Sequence, residues 1–247
     1  MIAFCIPVYG RQRTVEACGP FLEAAAHRSR FPVAYYFGGD DPWLEPYCRR
    51  HGFSYVEATN DQKLGSKWNQ IIKAALTDCN PTHIGILGSD TIFEPGIFDH
   101  YPQDVDIFGW DDCYFLDPPT LHYWPGYTHR DETVGVGRCY SRRIIDLLGG
   151  ELYGPAPSGC DGSATSRTSR KSLRDRYKAM GSRVSQFLEP GAPTIQRKRL
   201  MQTGAVMISL KEAGLNPMSA IGGCADVLDG PALDLARKWL EIWTAAQ

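Results

Sequence analysis

The chain has 247 residues, 43% hydrophobic and 22% charged, with a formal net charge of −2. That length buries a sizeable core as one large domain, and the charge average points to neither a nucleic-acid coat nor a membrane-surface protein. No apolar run is long enough to cross a bilayer, and the start lacks the charged and apolar regions of a signal peptide. Eight cysteines (5, 18, 48, 79, 113, 139, 160 and 224) form no C-x-x-C pair and no zinc spacing. They read as reduced core thiols of a cytoplasmic protein.

The first hundred residues alternate short apolar runs with helical patterns, the signature of a mostly parallel α/β sheet flanked by helices. Met1–Val8 predicts a buried strand, and Val15, Cys18, Leu22 and Ala25 or Ala26 predict a helix over Thr14–His27. Val33–Phe37 is a second strand, Trp43–His51 a short helix and Phe53–Val56 a third strand. Leu64–Leu76 follows as a helix whose inner face carries Leu64, Trp68, Ile71, Ile72 and Ala75. His83–Leu87 is a fourth strand that ends at Gly88-Ser89-Asp90.

Beyond residue 100 the pattern loosens. Val105–Trp110 and Cys113–Leu116 read as strands, Asp117–Tyr127 as an aromatic and proline-rich loop, and Val134–Tyr140 as a further strand. Ser141 caps a helix over Arg142–Leu148 that stops at Gly149-Gly150. Leu152–Gly162 is a loop, Ala164–Met180 a basic helix, Glu189–Pro193 a break and Ala205–Leu210 a short strand. The last helix begins near Asp229 with Pro231 in its first turn, and its pattern predicts burial of Leu233, Ala236, Leu240 and Trp243.

Ligands of an open α/β sheet collect outside the carboxyl ends of its strands. Four such ends stand out: Pro7-Val8-Tyr9-Gly10-Arg11, Gly38-Gly39-Asp40-Asp41, the Asn60–Asn69 turn and Gly88-Ser89-Asp90-Thr91. Each alone has a plain reading, since Tyr9 can simply pack, Asp40-Asp41-Pro42 can be a turn and Asp90 can cap a helix. Their order and spacing carry the signal.

In that order and spacing the chain resembles the inverting family-two glycosyltransferases of the GT-A, Rossmann-like fold, including a subgroup seen in phage and bacterial genomes. The resemblance covers residues 1–100 and continues more thinly through Trp110-Asp111-Asp112, Tyr123–Tyr127, Gly135–Arg138 and Gly159-Cys160-Asp161. It implies a single domain: a nucleotide-sugar-binding half (1–100), an acceptor and catalytic half (101–162), and a basic helix with a helical extension (163–247). It implies that Pro7, Val8 and Tyr9 lie against the base, with UDP the commonest donor nucleotide. Asp40 or Asp41 would accept hydrogen bonds from base or ribose, and Arg11, Lys67 and Ser89 would border the phosphates.

The strand-end Asp-x-Asp metal motif of that family is Gly88-Ser89-Asp90 here, so one carboxylate of the pair is missing. The resemblance implies that Asp90 holds Mn²⁺ or Mg²⁺, which would stabilise the departing diphosphate. Lys67 could share that task, and His122 or His129 could complete the shell, although a lone histidine is more often a packing residue.

Inversion requires a base near the acceptor hydroxyl. Asp161, between Gly159 and Gly162, is the first candidate, against the reading of an Asp-Gly turn; Asp112 is the second, against a strand-end turn. For the acceptor, Trp124 and Tyr127 offer stacking faces, against the alternative of a hydrophobic cluster covering the sheet. Arg138 extends that acceptor set.

Between Ser163 and Met201 ten basic residues face two acidic ones, a balance of +8 that leaves −10 on the rest of the chain. Arg167, Arg170, Lys171 and Arg174 share one helical face, continued by Lys178. Such a stripe is often a solvated surface; as a binding surface it fits a polyanionic acceptor, such as phage DNA bearing hydroxymethylated pyrimidines. Teichoic-acid-like polymers, anionic glycans or membrane phosphates would satisfy it too, and the alternative is transfer to a cell-surface glycan or other small acceptor. Two rivals stand beside this reading. A sugar-nucleotide pyrophosphorylase needs a glycine-rich loop after the first strand, where Pro7–Arg13 has Gly10 alone. A degenerate transferase would bind glycan or nucleic acid without turnover.

Overall fold

A computed structural model describes residues 1–126, 133–154, 167–168, 194–211 and 223–245. Its first half follows the chain order read from the sequence: β1 (Ile2–Pro7), α1 (Gln12–Arg28), β2 (Val33–Gly39), α2 (Leu44–His51), β3 (Ser54–Glu57), α3 (Leu64–Cys79) and β4 (His83–Ile86). β1 pairs in parallel with β2 and β4, and β2 with β3. Strands buried on both faces must be apolar throughout, and β1 is buried at all six positions.

The alternation of β1 feeds two cores. Ile2, Phe4 and Ile6 face one cluster with Val15, Cys18 and Leu22 of α1 and Leu44, Tyr47 and Cys48 of α2. Ala3 and Cys5 face the other, with Trp68, Ile71, Ile72 and Ala75 of α3. Helices therefore cover both faces, as a parallel sheet requires.

The second half departs from the sequence reading in several places. Its elements are β5 (Thr91–Phe93), β6 (Ile107–Trp110), β7 (Cys113–Asp117), β8 (Thr120–Trp124), β9 (Cys139–Ser141), α4 (Arg142–Leu147), β10 (Ile195–Lys198), α5 (Leu200–Thr203), β11 (Met207–Leu210), β12 (Ala225–Asp226) and α6 (Pro231–Ala245). They complete a seven-stranded mixed sheet, ordered β10-β6-β9-β4-β1-β2-β3, and build a five-stranded sheet, ordered β12-β8-β7-β11-β5. The second sheet packs into the core that holds Phe4 and Leu22, through Ile92, Phe93, Phe115, Met207 and Ile208.

Four corrections follow. The expected loop Asp117–Tyr127 contains β8, which pairs antiparallel with β7 around a turn at Pro118-Pro119. The two prolines mark that turn, not a longer loop. The strand expected over Val134–Tyr140 is confined to β9, because the chain bends at Gly137, whose φ is +73°. A Cβ there would lie 2.9 Å from both the Met207 sulfur and the Tyr101 hydroxyl.

β10 falls within the basic tract and has no apolar pattern, being a sheet-edge strand of alternating exposure. On α6 the fully buried residues are Ala232, Leu235, Ala236 and Trp239, while Leu233, Leu240 and Trp243 flank them half-buried. The contact with α1 turns the helix that way, and Arg13 stacks on the Trp243 ring at 3.8 Å.

Cys5, Cys18, Cys48, Cys113 and Cys139 form no disulfide and are buried, as core thiols should be, and Cys160 lies outside the described residues. Burial pushes the thiols of Cys5, Cys48, Cys113 and Cys139 up in pKa, away from reactive thiolate. No described helix is long and apolar enough to cross a membrane.

Candidate functional site

β1 ends at Pro7, and the chain then turns sharply through two left-handed residues, Gly10 (φ +63°) and Arg11 (φ +56°), before α1 begins. Glycine adopts that conformation freely, whereas arginine does so at a cost. The turn reaches two other strand ends at once. The Gly10 amide donates to Asp41 Oδ2 at 3.1 Å, beyond β2, and Arg11 Nη1 donates to Asp90 Oδ2 at 3.0 Å, beyond β4.

β3 and α3 complete the cluster. Asn60 donates its backbone amide to Asp40 Oδ2 at 3.0 Å and its side-chain amide to Asp41 Oδ2 at 3.3 Å. Lys67, in the first turn of α3, donates to the Val8 carbonyl at 2.6 Å and to Asn60 Oδ1. Its ammonium lies 3.8 Å from the centre of the Tyr9 ring, which is 37% exposed. Desolvation lowers the Lys67 pKa to about 8, against the pull of Asp40 and Asp41 in the other direction.

The family resemblance implies that Lys67 borders the phosphates. In the structure it is fully buried and ties the tips of β1, β3 and α3 together beneath Tyr9. Asn60, which bridges both aspartates and the lysine, stands in the sequence only as part of a strand-end turn. Its position after β3 is the signal that identifies it.

Tyr9, Arg11, Asp40, Asp41 and Asp90 therefore come together at one edge of the sheet, with Pro7 and Val8 buried behind them and Ser89 half-buried in the turn before Asp90. Residues from the second half do not join them as expected. Asp112 is fully buried; Oδ1 accepts from Leu200 N at 2.7 Å, and Oδ2 from Met201 N at 3.3 Å and the Tyr123 hydroxyl at 2.9 Å. It secures the first amides of α5 and has no free face to act as a base.

Arg138 is 4% exposed and donates to Thr133 Oγ1 at 2.8 Å, the Thr133 carbonyl and the Tyr140 hydroxyl at 3.2 Å, so it cannot reach an acceptor. Trp124 is half-buried against Phe115, with ring centres 5.8 Å apart, in the manner of a hydrophobic cover. His122 is paired to Asp226 at 2.8 Å. Arg167 donates to the Glu151 carbonyl at 2.7 Å. Tyr127, His129, Asp161, Arg170, Lys171 and Arg174 lie outside the described residues.

The donor set at Asp90 does not fit the expected Mn²⁺ or Mg²⁺. A single free carboxylate can anchor Mg²⁺ together with phosphates and water, but Oδ2 of this one holds the Arg11 guanidinium, which a dication would have to approach. Two unit charges 4 Å apart at a partly exposed site interact by roughly 4 kcal/mol, and a dication beside the guanidinium meets a repulsion of at least that order. A side chain at position 88 would displace the Asp90 carboxylate from its present rotamer, since a Cβ on Gly88 would lie 2.5 Å from Asp90 Oδ1. Among the described residues no group of three or more His, Cys, Asp or Glu side chains converges on a common point.

No protein-family model and no curated protein matches the chain. Solved structures show a distant likeness. S. aureus TarS 1-349 is 13% identical with a TM-score of 0.43, over 61% of this chain and 51% of that one, so the chain spans about half the length of TarS 1-349. HddC of Yersinia pseudotuberculosis is 12% identical with a TM-score of 0.45, over 85% of this chain and 93% of that one. Glucosyl-3-phosphoglycerate synthase of Mycobacterium tuberculosis, in complex with phosphoglyceric acid, is 11% identical with a TM-score of 0.47, over 99% and 79%.

Proposed function

We propose that the chain is a glycosyltransferase of GT-A type that takes its sugar from a nucleotide donor, a UDP-sugar first among them. The observation that supports the reading is the double reach of the Gly10-Arg11 turn, to Asp41 at 3.1 Å and to Asp90 at 3.0 Å. Three strand ends separated by up to 79 residues thereby border one surface, at the sheet edge where α/β folds bind nucleotides. On this reading the exposed Tyr9 ring stacks on the base, while Asp40 and Asp41 accept from ribose or base donors. Lys67 and Asn60 hold those three in place.

In the transfer, the bond from the anomeric carbon to the phosphate oxygen breaks and the nucleoside diphosphate leaves with the electron pair. An acceptor hydroxyl bonds to the same carbon from the opposite face, and its proton passes to a base. With Asp112 committed to α5, the base is assigned to Asp161. The acceptor is a polyanion, with DNA bearing hydroxymethylated pyrimidines the first choice, on the strength of the +8 tract and its stripe at Arg167, Arg170, Lys171 and Arg174. A base hydroxyl within a duplex must be flipped out to react.

The test is a mass-shift screen of nucleotide sugars against hydroxymethylated DNA and simple glycans, with release of nucleoside diphosphate followed in parallel. Transfer of one hexose or pentose mass is expected. Charge removal at Arg170 and Arg174 should lower acceptor use while sparing donor hydrolysis. Release of pyrophosphate would mark a pyrophosphorylase, and nucleotide binding without any release would mark a binding module.

A further inference from the structure

We infer that Arg11, oriented by Asp90, is the positive charge that receives the donor diphosphate, in place of a divalent cation. The inference rests on the nucleotide-sugar reading above and goes beyond it, because it assigns the leaving-group charge to a side chain of this protein.

Four observations carry it. Arg11 stands in left-handed backbone at the turn into α1, an expensive conformation for a residue with a Cβ, and it thereby directs its guanidinium across the sheet edge to the β4 tip. Only Nη1 is engaged by a described residue, so the remaining N–H donors of the fork stay available to phosphate oxygens, for which their geometry suits. Both members of the pair are neither sealed nor fully exposed, at 21% and 16% of side-chain area, so the guanidinium is ordered yet reachable.

The last observation is the shape of the β4 turn. Asp90 Oδ1 lies 2.5 Å from where a Cβ on Gly88 would stand, so a side chain there would turn the carboxylate out of its present rotamer. Glycine at 88 therefore permits the rotamer in which Asp90 grips Arg11. The absent carboxylate of the family motif and the present ion pair are one arrangement.

Asp90 becomes a positioning residue, and the diphosphate meets a guanidinium whose N–H groups donate along defined directions. Lys67 does not substitute for it, being buried beneath Tyr9 with its bonds spent on Val8 and Asn60. The α1 N-terminus, which carries no acidic residue in its first turn, adds to the same field.

The experiment is calorimetric binding of UDP, GDP, ADP, CDP and dTDP, and of the matching nucleosides, to the full chain in EDTA and then in Mg²⁺ or Mn²⁺. One diphosphate is expected to bind in EDTA, with its affinity changed less than about twofold by either cation. Arg11→Ala should weaken that diphosphate roughly ten- to a hundredfold, as loss of charge-assisted bonds does, while leaving the nucleoside unchanged; Arg11→Lys should recover part of the loss. Asp90→Asn keeps an oxygen that can accept from Arg11 Nη1, so diphosphate affinity in EDTA should fall less than in Arg11→Ala and should stay independent of either cation.

A diphosphate that binds only with Mg²⁺ or Mn²⁺ overturns the inference and leaves the nucleotide-sugar reading standing. Equal weakening of nucleoside and diphosphate in a folded Arg11→Ala protein assigns Arg11 a merely structural role and also overturns it. Binding of neither nucleoside nor diphosphate under any condition overturns the reading itself.

Discussion

Asp106 and Asp112 differ from Asp41 and Asp90 in how much of each carboxylate is already occupied. Asp106 accepts from Arg143 through both oxygens, from Ser141 Oγ at 2.8 Å, and from the Thr194 amide and hydroxyl at 3.0 and 3.1 Å. Asp112 accepts from two amides and a phenol while fully buried. At the sheet edge, Asp90 holds one guanidinium, and Asp41 takes its two bonds on a single oxygen. Carboxylates of the first kind staple distant segments; of the second, Asp41 keeps an oxygen for something that arrives later, and Asp90 orients a half-exposed guanidinium. Sequence position alone does not separate them, because Asp111-Asp112 and Asp40-Asp41 are both pairs after a strand.

Substitutions break the comparison at its two ends. Asp106→Ala orphans Arg143 and three other donors, and a loss of about 4 kcal/mol is expected from urea unfolding, as for one half of a largely buried ion pair. Asp112→Ala should cost about 3 kcal/mol by the same measurement, because it leaves buried amides without acceptors. Nucleotide binding in the surviving folded fraction should be intact, and its loss would return Asp112 to the site.

The acid limb of stability sharpens the same point. Burial raises the Asp106 pKa, but hydrogen bonds from Arg143, Thr194 and Ser141 outweigh it and lower the pKa to about 2, from an ordinary 3.8. A carboxyl depressed on folding contributes fully above its unfolded pKa, and that contribution disappears as the pH falls through the folded one. About 2 kcal/mol should therefore be lost between pH 4 and pH 2 in the parent protein. A flat acid limb would contradict the pairing. The smallest effect belongs to the open set: Asp41→Ala should cost about 1 kcal/mol in stability but weaken nucleotide affinity by about tenfold.

The first hundred residues were legible because the physics that writes them is local. The period of two in β1, with Ile2, Phe4 and Ile6 on one face, and the helical spacing of Val15, Cys18 and Leu22 each follow from burial of a single element. The strand tips at Tyr9, Asp40-Asp41 and Asp90 followed in turn from the strands. β8, β10 and the buried face of α6 were not legible: the first was hidden by prolines, the second by its charge, and the third by its contact with α1.

By itself the amino-acid order determined the parallel α/β half, the strand ends that carry Tyr9, Asp40-Asp41 and Asp90, the glycine at position 88 and the sign of the basic tract. Only the tertiary structure decided which aspartates are free and which are staples, and that Arg11 occupies Asp90. Those outcomes depend on pairs 79 and 88 residues apart, Arg11 with Asp90 and Asp112 with Leu200. Hydrogen-bonding partners at such separation are chosen by packing of whole elements, and neither periodicity nor spacing along the chain encodes that choice.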